Sequence, residues 1–271
     1  GETLSINVSK PIEEVPRKKK LLIISIASIL LIILAVGLFF IFTGIEDEET
    51  SRHLIIPPES GKHKQTLIFI PGLNNTPEDF QNFARYSLKF SAKNTTKIVL
   101  LRSPISKISF YGTSNHSWFD VFRIPLNSDD SYNFTDAKAS AEVIKDIINK
   151  EVKELNGNYD RIILGGHSQG ACVSLYTAYT SEFNLGAVLG CNGILFPQTE
   201  ILPGKEKMNV FIAHGGADPV IPMDFRNETM RRIKNFEGVY SYYYPEGSHS
   251  IINEEKNDLS DFLEKIVGNW K

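Results

Sequence analysis

One apolar run of this chain passes directly into a serine flanked by glycines. The run covers residues 162–164, and Gly166, Ser168 and Gly170 then form the pattern G-x-S-x-G ahead of a helix-compatible segment. This pattern between a strand and a helix is typical of a sharp turn that lifts the serine hydroxyl above the end of a sheet. The two glycines leave room where a side chain would clash. Ser168 is therefore the candidate nucleophile.

An acid and a base follow the candidate nucleophile along the chain. Asp218 lies in His-Gly-Gly-Ala-Asp-Pro-Val-Ile-Pro (214–222), and His249 lies in Gly-Ser-His-Ser (247–250) after a strand-like run. Serine, then aspartate, then histidine is the order of one known class of catalytic triads. A serine between glycines and an Asp-Pro pair are each also common turn signals, so the prediction depends on the three residues together.

Four of the other five histidines occupy positions that are less suitable for a catalytic base. His53 and His63 precede the strand-like runs, His167 is adjacent to the serine and is expected to point elsewhere, and His214 ends a strand before the acid. We therefore predict that His249 takes the proton of Ser168 during attack and later gives it to the leaving group. Asp218 is predicted to orient the imidazole and to stabilise the imidazolium.

Short apolar or aromatic runs alternate with helical stretches through most of the chain. The runs are 66–70, 97–101, 161–164, 187–190, 209–213 and 240–244. The clearest helical stretch is 136–155, in which apolar residues recur at spacings of three and four. The alternation predicts an α/β fold with a mostly parallel sheet and helices on both faces. Ser168, Asp218 and His249 would then lie on loops at the carboxyl ends of strands.

Five sequence blocks, in the same order, resemble the carboxylesterase, lysophospholipase and acyl-protein thioesterase family of small α/β-hydrolases. They are Pro71-Gly72-Leu73, Ser117-Trp118-Phe119-Asp120, Gly166-His167-Ser168-Gln169-Gly170, His214 to Pro222, and Gly247-Ser248-His249. The resemblance covers residues from about 66 to 252. It implies an α/β-hydrolase fold and a substrate that is an acyl ester or thioester.

The tetrahedral intermediate of acyl transfer needs hydrogen-bond donors for its oxyanion. The backbone N–H groups of Leu73, after the run 66–70, and of Gln169, at the start of the following helix, are the predicted pair. The chain departs from the family at two places, having Pro-Gly-Leu-Asn-Asn (71–75) for His-Gly-Leu-Gly-Asp and Gly-His-Ser (166–168) for Gly-Phe-Ser. Backbone donors do not depend on side-chain identity, so we keep the oxyanion prediction.

The segment 103–133 has no clear period but is rich in aromatic residues, among them Trp118 and Phe119. A loop of this length is usually functional or disordered, and its aromatic residues argue against disorder. We interpret the segment as the wall of an acyl pocket, with Trp118 and Phe119 as pocket residues. The alternative is that these two side chains fill the core beside the serine.

A second feature lies near the amino terminus. Residues 21–45 contain no charged residue and no proline. The run exceeds the roughly 20 residues that a membrane-spanning helix needs and the roughly 7 to 15 of a signal-peptide core. It therefore predicts an N-terminal transmembrane helix and a single-pass protein attached to a lipid bilayer.

The flanking charges predict an orientation for this helix. Residues 17–20 are all basic and residues 46–49 are all acidic, so the N-terminus is expected on the cytoplasmic or matrix side and the folded domain on the opposite side. The predicted organisation is a polar basic tail at 1–20, a transmembrane helix at 21–45, an acidic linker at 46–64 and an α/β-hydrolase domain at 65–271. About 200 residues suffice for one domain with a substantial core.

Composition excludes several classes of function. The net charge is −3 without a concentrated basic stripe, which argues against a nucleic-acid partner. No metal-ligand spacing or phosphate loop occurs, so we expect no metal and no cofactor, and we expect Cys172 and Cys191 to be buried. The predicted function is a membrane-anchored serine hydrolase that cleaves acyl esters or thioesters through an acyl-enzyme. The alternative is an accessory subunit of a larger membrane complex, for example in the mitochondrial inner membrane.

Overall fold

The described residues of this computed structural model, 53–268 and Trp270, contain nine strands. They are β1 (Leu54–Ile56), β2 (Gln65–Ile70), β3 (Thr96–Leu100), β4 (Ile105–Ile108), β5 (Thr113–His116), β6 (Ile162–His167), β7 (Ala187–Cys191), β8 (Val210–Gly215) and β9 (Val239–Tyr244). Seven of them form one sheet in the order β1-β3-β2-β6-β7-β8-β9, and β4 and β5 form a separate hairpin. β1 is antiparallel to β3, and the other pairings in the large sheet are parallel.

The helices of the described region cover both faces of this sheet. They are α1 (Phe134–Glu154), α2 (Gln169–Thr180), α3 (Met223–Ile233) and α4 (Asn253–Val267). Along β2, Ile68 and Ile70 pack into one hydrophobic cluster with side chains of α1, α2 and α3. The alternate residues Leu67 and Phe69 pack into a second cluster with side chains of α4. Because successive side chains of a strand point to opposite faces, the sheet lies between two helical layers.

The predicted α/β architecture with a mostly parallel sheet is confirmed. Each of the runs predicted as a strand forms one, namely β2, β3, β6, β7, β8 and β9. The predicted helix at 136–155 is α1, and it begins at Phe134. The Asn133 side chain accepts hydrogen bonds from the N–H groups of Thr135 and Asp136 at 3.0 and 3.3 Å, which explains why the helix begins there.

The folded domain includes a strand within the segment that we predicted as a linker, 46–64. β1 pairs with β3 through the register Ile55 to Val99, and Ile56 is buried in the second hydrophobic cluster. The strand has only 3 residues, which is too short for a periodic pattern to reveal it. The domain therefore begins before the predicted boundary at residue 65.

The predicted basic tail, the predicted transmembrane helix at 21–45 and the start of the predicted linker lie outside the described residues. Within the described region, no helix combines the length and the hydrophobicity that crossing a bilayer requires. The membrane anchor stays a prediction from the sequence of residues 21–45.

Candidate active site

The turn between β6 and α2 carries Ser168 in a strained backbone conformation. Its φ is 56°, in the left-handed region that side chains rarely adopt. A Cβ at Gly166 would lie 2.4 Å from the carbonyl carbon of Gly170, and a Cβ at Gly170 would lie 1.9 Å from the carbonyl oxygen of Ile70. Close backbone packing thus requires glycine at both positions and holds the serine in its strained turn.

Ser168, His249 and Asp218 form a continuous chain of hydrogen-bonding groups. Nε2 of His249 lies 2.7 Å from Oγ of Ser168, and Nδ1 of His249 lies 2.6 Å from Oδ2 of Asp218. The second oxygen of Asp218 accepts hydrogen bonds from the N–H groups of Val220 and Ile221 at 2.8 and 2.9 Å. The structure therefore brings together the residues proposed from sequence as nucleophile, base and acid.

The carboxylate of Asp218 is buried, yet its environment favours the charged form. Burial acts to raise the pKa of Asp218. The hydrogen bond and charge of His249, together with the N–H groups of Ile221 and Val220, outweigh burial and leave that pKa below its usual value. An ionised carboxylate at Nδ1 of His249 selects the tautomer whose Nε2 is free to accept the proton of Ser168.

His214 lies behind the acid rather than beside the nucleophile. Its Nε2 donates a hydrogen bond to the Ile221 carbonyl at 2.9 Å and lies 3.7 Å from Oδ2 of Asp218. Burial lowers the pKa of His214, so the ring is neutral. This histidine holds the loop that carries Asp218.

The loop after β2, which contains the predicted oxyanion donor Leu73, passes directly against the nucleophile. A Cβ at Gly72 would lie 3.0 Å from Cβ of Ser168. The N–H of Asn74 donates to a carbonyl of β5 at 2.9 Å, which anchors the loop. Leu73 and Gln169 both line the cavity that contains Ser168. Both proposed donors thus belong to the walls next to the reacting hydroxyl.

The side chain of Gln169 joins the aromatic segment 103–133 to the start of α2. Its Oε1 accepts hydrogen bonds from the N–H of Trp118 at 3.0 Å and the hydroxyl of Ser117 at 3.2 Å. Its Nε2 donates to the carbonyl of Phe119 at 2.8 Å. All these groups are buried and find partners in one another, so the network positions the segment firmly.

The two aromatic residues proposed as pocket residues lie in different environments. Phe119 lines the cavity beside Ser168. Trp118 is only 4% exposed and packs in the core, where its Nε1 donates to the carbonyl of Pro71 at 2.9 Å. Phe119 is 5% exposed and belongs to the same hydrophobic cluster as Trp118. Phe119 therefore fits both interpretations, and Trp118 fits the core alternative. The two residues lie in a bend that follows β5.

A cavity of about 210 Å³ lies beside Ser168. Its lining is largely apolar and includes Phe119, Val121, Leu126, Tyr132, Ile194 and Phe196. The first four belong to the segment whose aromatic content suggested a pocket. Ile194 and Phe196 follow β7 and had no distinguishing sequence signal. An apolar cavity with a few polar groups at one end is typical of a site for a small organic substrate.

His167 was expected to point away from the serine, and in the structure it packs against the base. Its ring centroid lies 5.1 Å from that of His249 and 5.8 Å from that of Phe80. Burial, followed by the charge of His249, lowers the pKa of His167 to about 3, so the ring is neutral. A neutral ring adds no positive charge beside the imidazolium that forms during the reaction.

A cluster of potential metal ligands, His63, Glu151 and Glu154, lies near the beginning of β2, whereas Ser168 lies near its end. Nζ of Lys97 lies 2.9 Å from a carboxylate oxygen of each glutamate. The lysine ammonium already pairs with the carboxylates that a metal ion would need, so an ion-pair cluster is the better description.

Glu255, near the start of α4, is buried at the carboxyl end of β7. Burial raises the pKa of Glu255 to about 7, although hydrogen bonds with Cys191 and Asn192 act to lower it. Cys191 and Cys172 are both free and buried, in agreement with the sequence prediction. Between the pKa of the unfolded chain and that of the folded protein, Glu255 is ionised only in the unfolded chain.

The substitution Glu255→Gln is expected to weaken the pH dependence of stability. Glu255 has a pKa of 4.5 in the unfolded chain and of about 7 in the folded protein. Its contribution to the free energy of unfolding is therefore complete below the unfolded-state pKa and is lost as the pH rises through the folded-state pKa. The wild-type free energy of unfolding falls by on the order of 3 kcal/mol across this pH range. Urea unfolding at about pH 5 and about pH 8 measures it. Glu254→Gln, an exposed neighbour, is the control. An unchanged pH dependence in Glu255→Gln would contradict the prediction.

The sequence matches the phospholipase/carboxylesterase family over residues 51–267. Acyl-protein thioesterase 1 of Mycosarcoma maydis is 31% identical over 237 residues, which cover 80% of this chain and 97% of that protein. Acyl-protein thioesterase 1 of Debaryomyces hansenii is 29% identical over 215 residues, which cover 75% of this chain and 92% of that protein.

Solved structures show the same fold at lower identity. Acyl-protein thioesterase 2 of Zea mays has a TM-score of 0.66 at 20% identity and covers 80% of this chain and 99% of its own. The carboxylesterase of Bacillus cereus has a TM-score of 0.61 at 15% identity and covers 79% of this chain and 93% of its own. With the sequence match over residues 51–267, the chain belongs to the phospholipase/carboxylesterase family of α/β-hydrolases and is a hydrolytic enzyme.

Proposed function

We propose that this enzyme is a serine hydrolase that cleaves acyl esters or thioesters. The observation that carries the proposal is the hydrogen-bonded series Ser168, His249 and Asp218 beside an apolar cavity. The series supplies an activated nucleophile, and the apolar lining suits an acyl chain better than a charged group. The similarity to proteins named acyl-protein thioesterase 1 supports an acyl substrate, thioesters included.

The reaction follows from the positions of these groups. Nε2 of His249 removes the proton of Ser168 as Oγ attacks the carbonyl carbon of the substrate. Backbone N–H groups of Leu73 and Gln169 stabilise the oxyanion, and Asp218 stabilises the imidazolium. The tetrahedral intermediate then expels an alcohol or a thiol, which takes the proton from His249 and leaves an acyl-serine. A water molecule, deprotonated by His249, releases the carboxylic acid and restores the serine.

The size of the cavity favours acyl groups of short or medium length. Its volume of about 210 Å³ is smaller than the about 300 to 1,000 Å³ of cavities that enclose a drug-sized ligand. A long chain would extend out of the cavity and forgo about 0.8 kcal/mol of transfer free energy for each methylene left in water. We expect kcat/KM to be higher for butanoyl to octanoyl esters than for palmitoyl esters.

The substitution Val121→Phe is expected to shorten the preferred acyl chain. Val121 is 4% exposed and lines the cavity, so the larger phenylalanine side chain removes space for the distal methylenes of the acyl chain. We expect kcat/KM for an octanoyl p-nitrophenyl ester to fall about tenfold while that for the acetyl ester changes little. Val143→Phe is the matched control, because Val143 is 48% exposed on α1. Equal losses for both esters in Val121→Phe would contradict the assignment of the cavity to the acyl chain.

We also propose that residues 21–45 anchor the enzyme in a lipid bilayer. The run without charge or proline is long enough to span, and the flanks 17–20 and 46–49 favour an enzyme domain opposite the cytoplasm or matrix. Such an anchor would keep the enzyme near acyl lipids, and the orientation disfavours cleavage of S-acylated proteins on the cytoplasmic side.

Labelling with a fluorophosphonate in membranes, before and after permeabilisation, tests these proposals. We expect peptide mapping to identify Ser168 as the modified residue. We expect a membrane-impermeant probe to react only from the side opposite the N-terminus. If the purified protein neither reacts nor hydrolyses acyl esters, the serine mechanism is wrong and the accessory-subunit alternative gains support. Recovery of the full-length protein in the soluble fraction would contradict the anchor.

A further inference from the structure

The residue that follows β7, Asn192, lies between the segments that carry the three reacting groups. In the sheet, β7 is flanked by β6, which leads to Ser168, and by β8, which leads to Asp218. Asn192 is fully buried and has a φ of 51°. Few residues other than glycine and asparagine adopt this left-handed conformation, so the position selects for asparagine or glycine.

The backbone at this position contacts the turn that carries Ser168 on one side and β8 on the other. The carbonyl of Cys191 accepts the N–H of Ser168 at 2.9 Å. The N–H of Asn192 donates to the carbonyl of Ala213, also at 2.9 Å. The peptide unit between Cys191 and Asn192 therefore ties the nucleophile to the strand that precedes the acid.

The side-chain amide of Asn192 contacts the loop that carries Asp218 and the loop that carries His249. Its Oδ1 accepts the N–H of Gly215 at 3.0 Å, and its Nδ2 donates to the carbonyl of Ser250 at 3.2 Å. Gly215 precedes Asp218 by three residues, and Ser250 directly follows His249. A primary amide carries two N–H donors and one acceptor, so it can satisfy these two backbone groups and also bond the carboxyl of Glu255.

We propose that Asn192 is a positioning residue that sets the distance between the loop of Asp218 and the loop of His249. The inference rests on the proposed function. The N–H of Ala217 also joins the two loops, through the Gly247 carbonyl at 2.9 Å. Without the amide, a buried N–H at Gly215 and the carbonyl at Ser250 lose their partner, so the loops lose one of their connections and their separation is less firmly set. Alignment of the imidazole matters because a misplacement of about 1 Å costs up to about 100-fold in rate.

The substitution Asn192→Gly removes the amide and keeps a residue suited to positive φ. We expect kcat/KM for an acyl ester to fall about 100-fold, mainly through kcat, and fluorophosphonate labelling to slow in parallel. The matched control is Asn156→Gly, because Asn156 also has a positive φ, 56°, and is exposed after the end of α1. We expect this control to react like the wild type.

Proton NMR of the His249 Nδ1–H, which is bonded to Asp218, gives a readout that does not require turnover. Its downfield resonance is expected to shift or broaden in Asn192→Gly and to stay unchanged in Asn156→Gly. An unchanged resonance together with a lower Tm in Asn192→Gly would indicate a merely structural role and would overturn the inference. Full activity in this variant would overturn it as well.

A second variant covers the case in which Asn192→Gly fails to fold. Asn192→Asp is made in a Glu255→Gln background, with Glu255→Gln alone as the reference, because the carboxyl of Glu255 bonds Asn192 and a second buried carboxyl beside it would favour a shared proton. The aspartate has the shape of asparagine and keeps an acceptor for Gly215, but its carboxylate has no donor for the Ser250 carbonyl. We expect it to perturb the same resonance, and an unchanged resonance would contradict the inference. If the wild-type protein shows the resonance but hydrolyses no acyl ester, the proposed function fails, while the NMR comparison still decides the role of Asn192.

Discussion

Ser168→Ala is expected to lower kcat for hydrolysis of an acyl ester by about 10⁶-fold. The alanine has no oxygen to attack the carbonyl, so no acyl-enzyme forms and His249 has no hydroxyl proton to accept. What remains is the small acceleration from binding and from the oxyanion donors. Release of p-nitrophenol from a butanoyl ester, followed over several hours, measures the effect, and circular dichroism checks that the variant is folded.

The matched control for this experiment is Ser114→Ala, because Ser114 is an exposed serine on β5. We expect it to retain wild-type kcat and KM. If Ser168→Ala kept activity within about tenfold of the wild type, another group would be the nucleophile and the proposed mechanism would fail.

Asp218→Asn is expected to lower kcat by about 10⁴-fold with little change in KM. Oδ2 of Asp218 lies 2.6 Å from Nδ1 of His249 and, as a carboxylate oxygen, can only accept a hydrogen bond. The amide that Asp218→Asn introduces can donate an N–H to Nδ1 of His249, which favours the His249 tautomer that carries its proton on Nε2. Because Nε2 must accept the proton of Ser168, this tautomer cannot act as the base. The lost negative charge also removes stabilisation of the imidazolium.

Asp224→Asn is the matched control, since Asp224 is exposed in the first turn of α3. We expect this variant to keep wild-type kinetics. A higher KM with unchanged kcat in Asp218→Asn would mean that the carboxylate binds substrate instead of orienting His249, and would contradict the prediction.

The strands could be predicted from sequence because several of them are buried along their whole length. In β2, β6 and β8 every residue is buried, and such strands appear in the sequence as nearly continuous apolar runs. β1 was missed because it has only 3 residues at the edge of the sheet. The hairpin of β4 and β5 was missed because its residues are mostly exposed and polar.

The candidate site was only partly accessible from sequence. Two glycines and a serine in a short pattern determine a local turn, so Ser168 could be singled out without knowledge of the sheet. Trp118 and Phe119 look alike in sequence, and both are buried in the core, yet Phe119 lines the cavity beside Ser168 and Trp118 does not. Asn192 carries no motif at all, because its importance comes from bonds to residues distant in the chain.

Periodicity and short motifs predicted the alternation of strands and helices, the sharp turn at Ser168, the order of acid and base, and the apolar run at 21–45. These properties follow from neighbouring residues, whose periodicity and backbone freedom act over one element at a time. Assembly of the whole sheet brings His249 to Ser168, 81 positions away, and to Asp218, 31 positions away. It also places Asn192 between their loops. Contacts between residues so far apart in the chain depend on the order in which the strands pair. The burial of many side chains together sets that order.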